Sequence, residues 1–184
     1  MKHLAMPLFA LTMCAACNTA TTSSEQTNDS ANTASTSNES VTYAYPVNYS
    51  SDFEIGDSKL AQTVLSIWKD FDDNTLDNHK DAFADSVTID LSGGDQVKGT
   101  RDSVIANIKA YRSSLKNVVS SIDVVTTLKP KGKDETWVCV WGRETDTNSK
   151  NKVDSTYLQE NWMFNKDGKI SYMGQFAAKP VVKK

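Results

Sequence analysis

Four strand-length segments fill the second half of this chain, and the short turns between them constrain its fold more than any other feature. Residues 118–128, 136–145, 153–164 and 169–178 are rich in β-branched and aromatic side chains. They are separated by Pro130-Lys131-Gly132-Lys133-Asp134, by residues 146–152 and by Asn165-Lys166-Asp167-Gly168, all turn chemistry of hairpin length. Neighbours joined so tightly must run antiparallel, because a parallel pair needs a crossover of about a dozen residues or more.

The preceding residues change period. Leu60, Val64, Ile67 and Phe71 recur at helical spacing behind Asp57, an N-cap type, which predicts a first helix over 57–73 with Trp68 beside its apolar stripe. A second, short helix is expected over 76–84. Val87, Ile89 and Leu91 then alternate with Thr88 and Asp90, which marks a strand. Ser92-Gly93-Gly94-Asp95 is a turn, and Gly99-Thr100 opens a third helix whose stripe is Val104, Ile108, Tyr111 and Leu115. Helices first and antiparallel strands afterwards define an α+β fold, a strongly curved antiparallel sheet packed against three N-terminal helices.

Length sets the domain count: 184 residues suit one domain. Residues 1–16 read as a signal peptide, with Lys2 as its positive charge and Leu4 to Leu11 as an apolar run too short to span a bilayer. The run ends in Cys14-Ala15-Ala16-Cys17, which resembles a bacterial lipobox with Cys17 as the lipidated residue. Cys14, with Leu11 ahead of it, is the weaker match because Met13 is bulky, and a plain secretory signal is the simpler alternative. Residues 17–45 are expected to form the lipidated cysteine and a disordered tether. From Asn18 to Ser40 the tether is almost entirely Ser, Thr, Asn and Ala, with too little apolar surface to offset the entropy of ordering. Residues 46–184 then form the single domain. The expected location is the cell envelope, with membrane attachment through the lipid alone. Asn18 in place of an inner-membrane retention aspartate points to the outer membrane. Cys139 is left as the domain's lone cysteine, flanked by Val138 and Val140 as a small buried hydrophobe would be.

Charge and motifs narrow the chemistry. A net charge of −3, from 20 basic and 23 acidic residues, provides no basic footprint for nucleic acid. No Gly-rich phosphate loop and no G-x-S-x-G elbow is present. With His79 the sole histidine beyond the signal, no histidine-rich metal centre is expected, nor any cofactor. The acidic run Asp70, Asp72, Asp73, Asp77 lacks the spacing and central glycine of a calcium loop.

Three stretches carry a family resemblance over about residues 57–178. They are Asn74-Thr75-Leu76-Asp77 leading to Phe83-Ala84-Asp85-Ser86-Val87-Thr88-Ile89, then Lys98-Gly99-Thr100, then Glu160-Asn161-Trp162-Met163-Phe164-Asn165-Lys166-Asp167-Gly168-Lys169-Ile170. Their order resembles the cone-shaped fold of the nuclear transport factor 2-like superfamily, which includes SnoaL-like polyketide cyclases and steroid delta-isomerases. The resemblance implies a pocket at the cone's open end and, in some members, pairing through the exposed sheet face, so a homodimer is a further expectation. It also places Leu91 where the isomerases carry their proton-moving carboxylate, Ile67 about where they carry a tyrosine, and Glu160 where their oxyanion-stabilising acid belongs. Asp90, one residue out of phase, should point to the other face of its strand.

Glu160 is the leading candidate, because Leu158, Trp162 and Phe164 share its strand face and a carboxylate in an apolar row has a raised pKa. Its bland alternatives are an ion pair with Arg143 or a solvated position. His79 is either a structural histidine on the packed side of the second helix or a general base beside Glu160. Trp68, Leu91, Trp162 and Gln175 complete the expected ligand-binding set. Two functions fit. One is a non-catalytic module for a small apolar or amphipathic molecule, or for a protein partner. The other is a cyclase or isomerase type of enzyme using Glu160 with His79.

Overall fold

In the computed structural model, which describes residues 42–180, the chain runs through β1 (Phe53–Ile55), α1 (Ser58–Asp73), a 3-10 segment (Leu76–Ala82), β2 (Phe83–Asp90), β3 (Gln96–Thr100), α2 (Arg101–Ser113), β4 (Leu115–Pro130), β5 (Thr136–Asn148), β6 (Val153–Phe164) and β7 (Ile170–Ala178). The folded unit begins at Tyr43. The expected signal peptide, Cys17 and nearly all of the tether lie outside the described residues.

Local chemistry accounts for the helix ends. Asp57 Oδ1 accepts from the Lys59 N–H at 2.9 Å and Thr100 Oγ1 from the Ser103 N–H at 3.3 Å, so both N-caps satisfy donors that the first helical turn leaves unpaired. Asn74, in the left-handed region at φ 59°, ends α1 and lets the Thr75 N–H reach the Asp70 carbonyl at 2.8 Å. The expected short second helix is present over Leu76–Ala82, as a 3-10 segment kinked at His79. Its reason is Asp70, buried at the end of α1, which gathers Thr75 Oγ1 at 3.1 Å, Asn78 Nδ2 at 3.3 Å and His79 Nδ1 at 2.5 Å and draws the segment tight.

One seven-stranded sheet has the order β1-β4-β5-β6-β7-β2-β3. All pairings are antiparallel except β2 with β7, which run parallel. The antiparallel sheet expected from the hairpins is present, with one parallel seam added by β2, where everything between the two strands serves as the long crossover. β2 also starts at Phe83, earlier than alternation shows, because a register shift between Phe83 and Thr88 hides the period. Further shifts in β4, at Leu115/Asn117 and Ile122/Val124, add the local twist that curls the sheet around the helices. The core between the layers holds Val64, Ile67 and Trp68 of α1 and Val104 and Ile105 of α2 against Val87, Ile89, Val138, Val140, Phe164 and Ile170. Arg112, buried in α2, locks the layers by donating to the carbonyls of Phe71, Asp72 and Leu115, at 2.5, 2.7 and 3.0 Å.

Candidate functional site

The inner faces of β5 and β6 change character along their length. From one end, the facing pairs are Val138–Trp162, Val140–Glu160, Gly142–Leu158, Glu144–Thr156 and Asp146–Asp154. With period two, each of these side chains points to the same side. The first half is packed by the helices as core. Beyond Gly142 the strands outrun that packing, and an open cavity of about 560 Å³ remains between the sheet, α1 and α2. Ile67, Phe83, Ile89, Trp162 and Met173 form its apolar floor, and Glu144, Asp146 and Asp154 stand near Tyr111 at its polar end.

Glu160 is set into the floor with 5 % of its surface exposed. Its Oε2 accepts from the indole N–H groups of Trp68 at 2.7 Å and Trp162 at 3.0 Å, and its Oε1 accepts from Gln175 Nε2 at 2.9 Å. No cation pairs with it among the described residues. Burial therefore pushes its pKa up, and the three donors pull it part of the way back. Gly142 on β5 leaves room for the Trp68 indole: a β-carbon there would stand 3.2 Å from the ring and 2.7 Å from the Ser121 carbonyl. Arg143, the alternative partner, is on the opposite face and donates to Tyr157 Oη.

Glu144 is a second perturbed acid, and sequence reasoning missed it. Burial raises its pKa to about 7, aided by the charges of Glu160, Asp146 and Asp72, while Arg112 opposes. It has no hydrogen bond or ion pair among the described residues. Alternation from Gly142 to Glu144 to Asp146 was the signal available, masked by a turn boundary expected at 145 where β5 in fact runs to Asn148. Tyr111 is raised too, by burial first and then by Glu144, Asp146 and Asp154.

Trp68, Leu91, Glu160, Trp162 and Gln175 all line this one cavity, with Ile67 on the same wall. His79 does not. It is spent on Asp70 at the 3-10 segment with 42 % of its side chain in solvent, so the pairing of His79 with Glu160 as joint acid and base is corrected. Asp90 lies outside the cavity as well, accepting from Gln96 at 2.7 Å and Tyr172 at 2.9 Å. Trp137 donates to Tyr49 at 2.7 Å and lines no part of the site. Cys139, half-buried, has its thiol pKa pushed up by burial and is poorly nucleophilic. No metal-ligating cluster occurs among the described residues.

This layout of sheet, helices and cavity has solved counterparts. A putative scytalone dehydratase from Novosphingobium aromaticivorans superposes with a TM-score of 0.55 at 11 % identity, covering 67 % of this chain and 87 % of the other. A putative SnoaL-like polyketide cyclase from Jannaschia gives 0.53 at 14 %, covering 66 % and 86 %. A nuclear transport factor 2-like protein of unknown function from Exiguobacterium gives 0.52 at 14 %, covering 64 % and 99 %. No protein-family profile and no curated protein sequence matches the chain. The chain has the nuclear transport factor 2-like fold, an open α+β cone. That fold hosts catalysts and non-catalysts alike, so activity must be argued from the cavity.

Proposed function

We propose that this chain is an envelope lipoprotein, anchored through Cys17 to the outer membrane, whose cone-shaped domain holds a small apolar or amphipathic molecule without transforming it. The carrying observation is the cavity of about 560 Å³, within the size range of small-molecule sites and lined by an apolar floor with a few fixed polar groups. Glu160 supports holding over turnover. Three donors already occupy its two oxygens, leaving it little freedom to exchange a proton with a bound molecule. Leu91 and Ile67, which line the same cavity, have no proton to move.

A second reading is favoured by Glu144. An unpartnered carboxyl with a pKa of about 7 in a sheltered cavity suits general acid–base work at neutral pH, in the manner expected of a cyclase or dehydratase. Native mass spectrometry of the mature protein from its host membranes, before and after incubation with whatever small molecule co-purifies, separates the two. A retained, chemically unchanged adduct supports the binding module, and conversion to a new species would replace it with the enzyme. An adduct-free protein whose tryptophan fluorescence ignores hydrophobic probes would sink both. The anchor is checked separately: labelled palmitate must enter the wild-type chain and be lost in Cys17→Ser.

A further inference from the structure

The cavity is lopsided in charge as well as in polarity. Among the described residues, its lining contributes five carboxyl groups, from Asp95, Glu144, Asp146, Asp154 and Glu160, against one ammonium, Lys179. Lys179 is already committed, donating to Asp154 Oδ2 at 2.6 Å and to Thr156 Oγ1 at 2.9 Å. Arg112, the cation whose charge acts on Glu144, spends its donors on three backbone carbonyls. At the same end the half-exposed Tyr111 ring lines the cavity within reach of the Glu144 charge, stacked on Phe71 with centroids 6.3 Å apart and planes 24° apart. A carboxylate without a partner, an aromatic face and an apolar recess together recognise an organic cation: the ring attracts the ammonium, the carboxylate neutralises it and the floor takes the hydrocarbon.

Resting on the binding reading above, we infer that the ligand is an amphipathic amine or quaternary ammonium compound, its cation held by Glu144 between Asp146 and Tyr111 and its apolar body on Trp162 and Met173. An anionic ligand would face uncompensated carboxylates and is refused. A neutral one gains only the floor.

Phenylbutylamine, phenylbutanol and phenylbutyrate share a skeleton and differ in charge, and their titration into the protein at pH 8 by calorimetry is the test. The amine should bind at least about tenfold more tightly than the alcohol, with the carboxylate weakest. Glu144→Gln should remove most of the amine's advantage while leaving alcohol affinity within about threefold. Asp146→Asn should act in the same direction more weakly. Equal binding of amine and alcohol to the wild type overturns the inference, as does an amine preference that survives both substitutions, and in either case the cavity remains a binding site. If no member of the series binds, the reading of the cavity as a ligand site falls with it.

Discussion

The indole of Trp68 lies directly over Gly142, close enough that a β-carbon at residue 142 would stand 3.2 Å from the ring. Lying over this glycine, the indole places its N–H on Glu160 at 2.7 Å. Gly142→Ala must displace the Ser121 carbonyl, which the new carbon would meet at 2.7 Å, and it crowds the indole as well. We expect a loss of about 1–3 kcal/mol from overpacking and from the disturbed hydrogen bond. Urea unfolding measures it, and an unchanged midpoint would show that Trp68 is not wedged there.

Trp68→Phe tests the hydrogen bond itself. The ring volume is largely kept, but Glu160 loses one of its three donors while remaining buried, at an expected cost of about 1–3 kcal/mol. The Glu160 pKa should also rise further, since the lost donor favoured the charged form. Carbon-13 titration of the glutamate carboxyls reports that shift, and a downward move would contradict the assigned geometry.

These two residues also show what the sequence could and could not convey. Trp68 and Glu160 each announce themselves through period, one at helical spacing beside an apolar stripe, the other in a period-two row with Leu158 and Trp162. Their meeting across 92 positions is a property of the curled sheet and of the gap at Gly142. β1 and β3 are short edge strands: β1 is exposed throughout, and β3 alternates only between exposed and half-buried residues, so neither carries the apolar row of a core strand. His79 was placed correctly on its segment, but its partner was Asp70, a residue whose acidic neighbours made it look like part of a solvated helix end.

His79→Ala is therefore expected to affect stability and not the cavity. Asp70 would keep Thr75 and Asn78 but lose its shortest contact, at 2.5 Å, loosening the turn after α1 by about 1–2 kcal/mol. Affinity for any ligand of the cavity should stay within about twofold of wild type. A variant as stable as the parent but blind to ligand would restore His79 to the site.

Glu144 gives the domain a pH-dependent stability with a definite sign. Its folded pKa of about 7 exceeds the ordinary value of 4.5, so between those values the folded protein binds more protons than the unfolded chain. Stability from this group is thus complete below about pH 4.5 and is lost as pH rises through about 7, by up to about 3 kcal/mol. Glu160, raised in the same direction by burial, adds to the slope. The groups facing Glu144 are Glu160, Asp146 and Asp72, which keep it protonated, and Arg112, which opposes them. Glu144→Gln should consequently be more stable than wild type at pH 8 and nearly equal to it at pH 4.5. An organic cation bound beside Glu144 should reverse the effect by favouring the carboxylate, releasing a proton when binding occurs near pH 6. Calorimetry in buffers of different ionisation enthalpy counts that proton. Binding without proton release, or a wild type that grows more stable from pH 5 to pH 8 relative to the glutamine variant, would show that Glu144 is already ionised in the empty cavity.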